Sequence, residues 1–329
     1  MKHNEGEVVQ LLPATSTNVS KVDDTPRYHA LLGIACVACS SLCFGLMATF
    51  VKYMTYSFSS MEATFWRSLG VLVFSSITIK VTGTSLVVPR KYRFLLCGRC
   101  LLGFLCMCFN FYAMSQMVLA DASALTLTSP ILTFFFGAIF LHEKIDPVSL
   151  WCAFGAFGGL ICVLRPGFLF GYDGTVHARR TSWLPEGSAL LSALGHVGTC
   201  LLVRQLKGLH FLVIVQYFAM TCVTLTMLWL ALIQRSFFLP STFFLWRSIL
   251  GTSLCAFGGQ MLLTRGFQLE KAGVAAVMRY LQVLFVFALD SEILGEKINH
   301  WSIVGALVIL ASAVAIAVRK IQLTMQEGK

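Results

Sequence analysis

Residues 31–54 read LLGIACVACSSLCFGLMATFVKYM and carry one charged side chain, Lys52. A helix needs about 20 predominantly apolar residues to cross the hydrocarbon core of a bilayer, and this stretch exceeds that length. Nine further stretches have the same character, so the sequence predicts ten transmembrane helices. The nine cover residues 61–82, 94–118, 122–141, 148–164, 187–206, 211–233, 246–267, 272–294 and 301–318.

The composition of the whole chain agrees with a membrane protein. Of 329 residues, 57% are apolar and 12% are charged, and the mean hydropathy is +0.77. A soluble domain carries about 25% charged residues, so a soluble globule is excluded, as are a disordered chain and a disulfide-stapled secreted domain. The formal charge of +10 lies mostly at the ends of apolar runs, which sets topology and argues against a nucleic-acid partner.

The sequence contains no nucleotide-binding loop, catalytic triad or metal-ligand constellation. The 12 cysteines lie almost entirely inside apolar runs, where cysteine packs as a small apolar residue. We therefore predict no cofactor, no metal site and no enzymatic activity, with the lipid bilayer and a small-molecule substrate as the partners.

The orientation follows from the lysines and arginines that flank the spans. Fifteen of them fall on the side of the N-terminus and seven on the opposite side. Because cytosolic loops are enriched in these residues, both termini are predicted to be cytosolic.

The two halves of the chain are related by an internal repeat. A shift of 153 residues places Glu143-Lys144-Ile145 on Glu296-Lys297-Ile298 without a gap. Five spans per half is an odd number, so the second half must be inserted upside down, which is the plan of many secondary transporters. The predicted fold is therefore an all-α polytopic membrane protein with ten transmembrane helices arranged as two inverted five-helix repeats.

The repeat also predicts how the chain is divided. The predicted parts are a disordered cytosolic tail (1–30), a first repeat (31–166), a non-cytosolic linker (167–184), a second repeat (185–320) and a cytosolic C-terminal tail (321–329).

Polar residues inside the spans identify a candidate cavity, because ionisable side chains in a membrane are costly and mark pathways by default. At helical spacing, one face of the ninth span and the equivalent face of the fourth carry a polar stripe. The stripe consists of Arg279, Gln282 and Asp290 in the ninth span and Thr126, Ser129 and Thr133 in the fourth. The alternative is that these side chains only hydrogen-bond between helices. Arginine favours carboxylate or phosphate, so the substrate is predicted to be anionic or zwitterionic.

Four further residues are candidates for binding or movement. Arg67 and Asn110 are predicted to line the cavity, although Arg67 could instead reach the interface near Glu62. Glu62 is a candidate for gating or proton coupling. Pro130 lies in mid-span, where it frees a backbone carbonyl and provides a candidate flex point, or simply packs.

The N-terminal tail contains a short sorting pattern. Glu7, Leu11 and Leu12 match an acidic dileucine signal, which a clathrin adaptor could recognise in a cytosolic tail. This favours an endosomal, vacuolar or other endomembrane location, with the plasma membrane as the alternative.

An ordered series of motifs runs through both halves of the chain. In the first half the motifs are Glu62-Ala-Thr-Phe-Trp-Arg67, Phe109-Asn-Phe-Tyr-Ala113, Asp121-Ala-Ser-Ala-Leu-Thr-Leu-Thr-Ser-Pro130 and Phe140-Leu-His-Glu-Lys-Ile145. In the second half they are Gly266-Phe-Gln-Leu-Glu-Lys-Ala272, Val277-Met-Arg-Tyr280 and Leu294-Gly-Glu-Lys297. This series resembles the drug/metabolite transporter superfamily of the EamA type, most closely subfamily G of solute carrier family 35. The resemblance implies a ten-helix fold in which the first four helices of each half surround a central cavity and the fifth serves dimerisation.

Gly155 and Gly159 in the fifth span form a small-xxx-small pair, which permits close approach of two helices. The pair is predicted either to pack inside the molecule or to form the seam of a homodimer through the fifth and tenth spans.

These observations predict a secondary-active transporter that moves a small organic metabolite by alternating access, coupled by exchange or by proton symport with Asp290 and Glu62 as candidate proton acceptors. Amino acids, nucleotide or nucleoside derivatives and organic acids are the candidate substrates. The alternative is a non-transporting membrane scaffold or regulator that retains the carrier fold.

Overall fold

The computed structural model describes residues 26–54, 58–117, 119–143, 146–164, 166, 169, 183–235, 237, 239–294 and 300–327. Within these residues all regular secondary structure is helical. The helices are α1 (Pro26–Met54), α2 (Ser60–Thr82), α3 (Arg90–Gln116), α4 (Leu119–Thr126), α5 (Ser129–Leu141), α6 (Pro147–Leu164), α7 (Trp183–Gln205), α8 (Phe211–Trp229, continued by a π-helical turn Leu230–Gln234), α9 (Phe243–Leu269), α10 (Ala272–Met278), α11 (Leu281–Leu294) and α12 (His300–Glu327).

The described helices combine into ten spans, as the sequence predicts. Eight helical segments are long and apolar enough to cross a membrane. The other two spans are α2 and α9, which have 23 and 27 residues. At 1.5 Å per residue both exceed the roughly 30 Å of a hydrocarbon core, and their polar residues lower their hydropathy.

Some predicted boundaries shift. Helix α1 begins at Pro26, inside the predicted tail 1–30, and α12 continues to Glu327, past the predicted repeat end at 320. The predicted linker 167–184 lies almost entirely outside the described residues. The sorting residues Glu7, Leu11 and Leu12 also lie outside them.

Two of the ten spans are interrupted at equivalent places in the repeats. The fourth span breaks between α4 and α5, and Pro130 occupies the first turn of α5, so it marks a real discontinuity. The ninth span breaks between α10 and α11, where Arg279 N–H donates to the Ala276 carbonyl in a tighter turn. The hydroxyl of Tyr280 donates to the carbonyl of Leu127 at 2.9 Å, so the two interruptions bond to each other.

The contacts between helices follow the repeat. The repeat exchanges α1 with α7, α2 with α8, α3 with α9, α4–α5 with α10–α11, and α6 with α12. Contact of α1 with α9 is therefore matched by contact of α7 with α3, and contact of α2 with α9 by contact of α8 with α3. The α2–α8 and α6–α12 contacts each join a helix to its own counterpart, and the α5–α10 contact joins the two interrupted spans to each other. The architecture is accordingly two inverted five-helix repeats.

One end of the molecule is held by ion pairs, and of the three found among the described residues two join the repeats. Arg204 Nε lies 2.8 Å from Glu143 Oε1, while the backbone N–H of Ala272 donates to Glu143 Oε2 at 2.9 Å. Arg319 Nη2 lies 3.2 Å from Asp146 Oδ1. The third pair, at 3.0 Å, joins Lys320 to Glu270 within the second repeat.

Glycine allows α6 and α12 to cross at very close range. A Cβ added at Gly159 would stand 2.7 Å from the carbonyl oxygen of Gly305, and one added at Gly155 would stand 3.2 Å from Ser312 Oγ. Of the two predicted roles for Gly155 and Gly159, the structure shows the packing inside the molecule. Because α12 of the same chain packs on them, a homodimer through the fifth and tenth spans stays a prediction for other surfaces of these helices.

We predict that Gly159→Leu destabilises the protein by about 1–3 kcal/mol, because the new side chain forces α6 away from α12. The measurement is thermal or denaturant unfolding of the detergent-solubilised protein. The control is Gly158→Leu, since a Cβ at Gly158 has no atom within 4 Å and this neighbour has the same helix propensity. Equal melting temperatures of the two variants would contradict the crossing.

We also predict a pH-dependent contribution from the Asp146–Arg319 pair, whose carboxylate lies between the fourth and fifth spans. Burial raises the pKa of Asp146, but hydrogen bonds from Ser149 and Arg319 outweigh it, so the pKa lies below its ordinary value. The pair therefore stabilises the folded state above about pH 4, and this contribution disappears as the pH falls through the lowered pKa.

Asp146→Asn should accordingly lower the free energy of unfolding by about 1 kcal/mol at pH 7, with the difference from wild type closing below pH 4. Unfolding curves across this pH range measure it. In an Arg319→Gln background the effect of Asp146→Asn should shrink, and an unchanged effect there would show that Arg319 is not the partner.

Candidate functional site

A cavity of about 280 Å³ lies between the two repeats. Its wall is built by α1, α2, α3, α7, α8, α9 and the interrupted α10–α11 span. The wall consists of Phe44, Met47, Arg67, Arg99, Gly103, Met107, Asn110, His196, Thr199, Cys200, Val203, Phe218, Gln260, Leu263, Thr264, Phe267, Arg279 and Gln282.

Three guanidinium groups reach this cavity. Arg67 and Arg99 come from the first repeat, and Arg279 comes from the second, at the interruption between α10 and α11. Among the described residues of the wall, none carries a carboxylate. A cation at the centre of a bilayer costs about 2.5–3.5 kcal/mol or more, so three of them require either water or an anion.

The contacts of the three arginines leave some of their hydrogen-bond donors without a partner among the described residues. Arg67 Nη2 contacts the sulfur of Met107 at 3.3 Å, and the Arg99 guanidinium stacks on the ring of Phe218 at 4.5 Å. The buried Nε atoms of Arg99 and Arg279 have no hydrogen-bond partner within the described part of the chain. Such groups are usually satisfied in native structures, which makes them candidate ligand contacts.

The interrupted span explains why Arg279 reaches the cavity. Residues 272–278 are buried, and Arg279 caps the C-terminal end of α10 in the tight turn that precedes α11. Gln282 follows one turn later and lines the same cavity.

Four of the predicted cavity residues lie on the wall: Arg67, Asn110, Arg279 and Gln282. The predicted stripe on the fourth span does not. Thr126 Oγ1 donates to Asn110 Oδ1 at 3.3 Å from behind the wall, and Thr133 Oγ1 donates to the Ser129 carbonyl at 2.7 Å. All three of these residues are buried in helix contacts, so α4 and α5 support the cavity without lining it.

The two candidates for gating or proton coupling, Glu62 and Asp290, are not among the described residues of the cavity wall. Glu62 forms a capping box with Ser59 at the start of α2: Glu62 N–H donates to Ser59 Oγ, and Ser59 N–H donates to Glu62 Oε2. This is a helix-end role at a distance from the cavity wall. The side chain of Asp290 lies outside what the structure describes.

The sequence reasoning missed several wall residues, of which Arg99 and His196 are chemically the most important. The signal for both was an ionisable side chain inside an apolar run, at 94–118 and 187–206. Arg99 lies near the predicted end of its span, where a charge is ordinarily explained by the interface.

Known proteins match both halves of the chain. The EamA-like transporter family matches residues 31–165 and again residues 185–318. Solute carrier family 35 member G1 of Homo sapiens is 27% identical over 292 residues, covering 88% of this chain and 80% of the relative. The pseudopaline exporter CntI of Pseudomonas aeruginosa is 27% identical over 287 residues, covering 87% and 95%.

Two further matches extend the comparison. The probable transport protein YPL264C of Saccharomyces cerevisiae is 27% identical over 239 residues, covering 69% of this chain and 68% of the relative. A solved crystal structure superposes with a TM-score of 0.70 over 88% of this chain and 97% of its own, at 15% identity. At that identity the likeness concerns the fold alone.

Proposed function

The chain belongs to the EamA-like transporter family, and on that premise we propose that it moves a small organic metabolite bearing an anionic group by alternating access. It is an integral multi-pass membrane transporter and not an enzyme. The substrate, the compartment and the mechanism described below are our proposals.

One observation supports an anionic substrate. Arg67, Arg99 and Arg279 converge on one cavity whose described wall holds no carboxylate. Because a guanidinium binds carboxylate or phosphate through two parallel hydrogen bonds, an anionic group is the ligand that would neutralise such a wall. Arg279 is the main candidate for this contact, since its Nε is buried without a partner among the described residues.

The size of the cavity favours a small metabolite. Its 280 Å³ lies just under the range of about 300–1,000 Å³ that is typical of ligand pockets. An organic acid or an amino acid fits this volume better than a nucleotide derivative.

Alternating access would be a movement of one repeat against the other. The ion pairs Glu143–Arg204 and Asp146–Arg319 join the repeats at one end, so they would separate when the cavity opens there. The interruptions near Pro130 and Arg279 provide the points at which these spans could bend. Exchange of substrates and symport with a proton are the two coupling modes that we propose to distinguish.

The proposed orientation places both termini in the cytosol, with the ion-paired end on the same side. Lysine and arginine flank that side more often, by fifteen to seven. An endosomal or vacuolar location would follow from recognition of Glu7, Leu11 and Leu12 by a clathrin adaptor. A homodimer through the fifth and tenth spans remains a proposal for surfaces other than Gly155 and Gly159.

We predict that Arg279→Gln lowers the affinity for an anionic substrate by about 10–100-fold, because a charged hydrogen bond is worth about 1.5–3 kcal/mol. Arg279→Lys should retain part of the affinity, since it keeps the charge but loses the paired hydrogen bonds. Substrate-dependent thermal stabilisation, screened over a library of organic acids and amino acids, measures binding, and uptake into proteoliposomes measures transport.

The matched control is Arg247→Gln, an exposed arginine at the start of α9 that stacks on Phe244 outside the cavity. It should bind and transport as the wild type does. Normal transport by Arg279→Gln, or its failure to fold, would assign Arg279 to helix packing. Binding of no metabolite by the wild type would favour the scaffold alternative.

A second prediction of this proposal concerns the subcellular location of the protein. Replacing both Leu11 and Leu12 by alanine should move the protein from endosomal or vacuolar membranes to the cell surface, because the adaptor loses its contact. Fluorescence microscopy of a C-terminal fusion measures the distribution, with Leu31→Ala and Leu32→Ala at the start of the first span as controls. An unchanged distribution would show that the pattern is accidental.

A further inference from the structure

Arg99 is held in the cavity in a specific conformation. Only 7% of the residue is exposed, and its guanidinium lies 4.5 Å from the centre of the Phe218 ring on α8. The ring covers one face of the guanidinium and leaves its hydrogen-bond donors free for another group. Its Nε is buried and has no partner within the described residues.

Gly103 provides the space for this conformation. It lies four residues after Arg99, on the same face of α3. A Cβ at this position would stand 2.5 Å from Arg99 Nη1 and 2.9 Å from Phe218 Cε2. Both distances are shorter than van der Waals contact, so a side chain at Gly103 would displace the stacked pair.

The fold itself does not require a cation at this place. The 153-residue repeat pairs Arg99 with Thr252 and Gly103 with Ala256, both of which are buried in the second repeat. Thr252 fills the equivalent position with a neutral side chain that contacts the sulfur of Met54 at 3.4 Å. The repeat is an internal comparison in which the same scaffold forms without the charge.

Arg99 and Arg279 act on the same space from different repeats. His196 and Cys200 on α7 line the same cavity as both guanidinium groups. The described wall has no carboxylate to compensate either cation.

We propose that the cavity takes a small organic dianion, with one acidic group at Arg279 and the second at Arg99. This rests on the proposed function and specifies its substrate class. Arg99 is the residue that discriminates a second acidic group, while Gly103 and Phe218 are positioning residues that act through Arg99. Carboxylate and phosphate share the chemistry that a guanidinium recognises.

The test measures binding of a graded series of probes to the purified full-length protein in nanodiscs. The dicarboxylates malonate, succinate, glutarate and adipate vary the separation of the two acidic groups. Butyrate and hexanoate carry one acidic group, and phosphoglycolate places a phosphate at one end. Thermal stabilisation and calorimetric titration give the ratio of dianion affinity to monoanion affinity, which is the readout.

We expect the wild type to prefer dianions by at least tenfold, with an optimum at one chain length. Arg99→Gln should lose this preference while it still binds monoanions at Arg279. Gly103→Ala should reduce the preference as well, because it displaces Arg99 without removing its charge. Gly98→Ala on the same helix is the matched control, since a Cβ there meets only Leu202 Cδ1 at an ordinary 3.7 Å.

The outcomes separate the two proposals. The dianion proposal is overturned if the wild-type protein binds monoanions and binds dianions of every chain length no more tightly. It is also overturned if the ratio of dianion affinity to monoanion affinity is unchanged in Arg99→Gln. If Arg99→Gln does not fold, Gly103→Ala decides in the same way, because it retains the arginine. A wild type that binds none of the anions, phosphoglycolate included, contradicts both the dianion and the proposed anionic substrate.

Discussion

Every backbone N–H and C=O inside a bilayer must find a partner within the protein, and this constraint organises the interrupted spans. The fourth and ninth spans are interrupted, so backbone groups at each interruption lack the hydrogen-bond partners that a continuous helix would supply. The hydroxyl of Tyr280 at one break donates to the carbonyl of Leu127 at the other, and Tyr280 is completely buried. The two breaks therefore lie against each other at the centre of the repeat. The cavity depends on this arrangement, because the interruption of the ninth span places Arg279 on the cavity wall.

The repeat builds the scaffold, and departures from the repeat build the site. Shifting by 153 residues pairs Arg279 with Thr126 and Arg99 with Thr252. In each pair the scaffold accepts either residue, so packing alone does not demand the charge. A buried cation is costly and the equivalent positions do without it, which is why we propose that these cations serve an anionic substrate.

The two ends of the molecule are closed by different physical interactions. One end has ion pairs between the repeats, of which Glu143–Arg204 is the most buried that joins them. The other has an aromatic cluster in which the ring centre of Trp66 lies 5.8 Å from that of Phe237 and 5.6 Å from that of Trp246. Ion pairs exchange readily with water when they separate, whereas separated aromatic rings expose apolar surface. Opening the cavity at each end therefore carries a different cost.

The sequence by itself determined the features that depend on local composition and on length. Apolar runs of about 20 residues, their odd number per half and the 153-residue shift predicted the ten spans and the inverted repeat, because any apolar run of this length must cross the bilayer. The same reasoning found Arg279 and Gln282. It also placed Thr126, Ser129 and Thr133 in the cavity by extending an unbroken helical period across the interrupted fourth span, whereas the structure buries these residues in helix contacts. Only the tertiary structure decided that Arg99 reaches the cavity and that Gly159 contacts Gly305 of the same chain. The rotation of each helix and the identity of its neighbour are set by packing between residues far apart in the chain, which periodicity along one span does not contain.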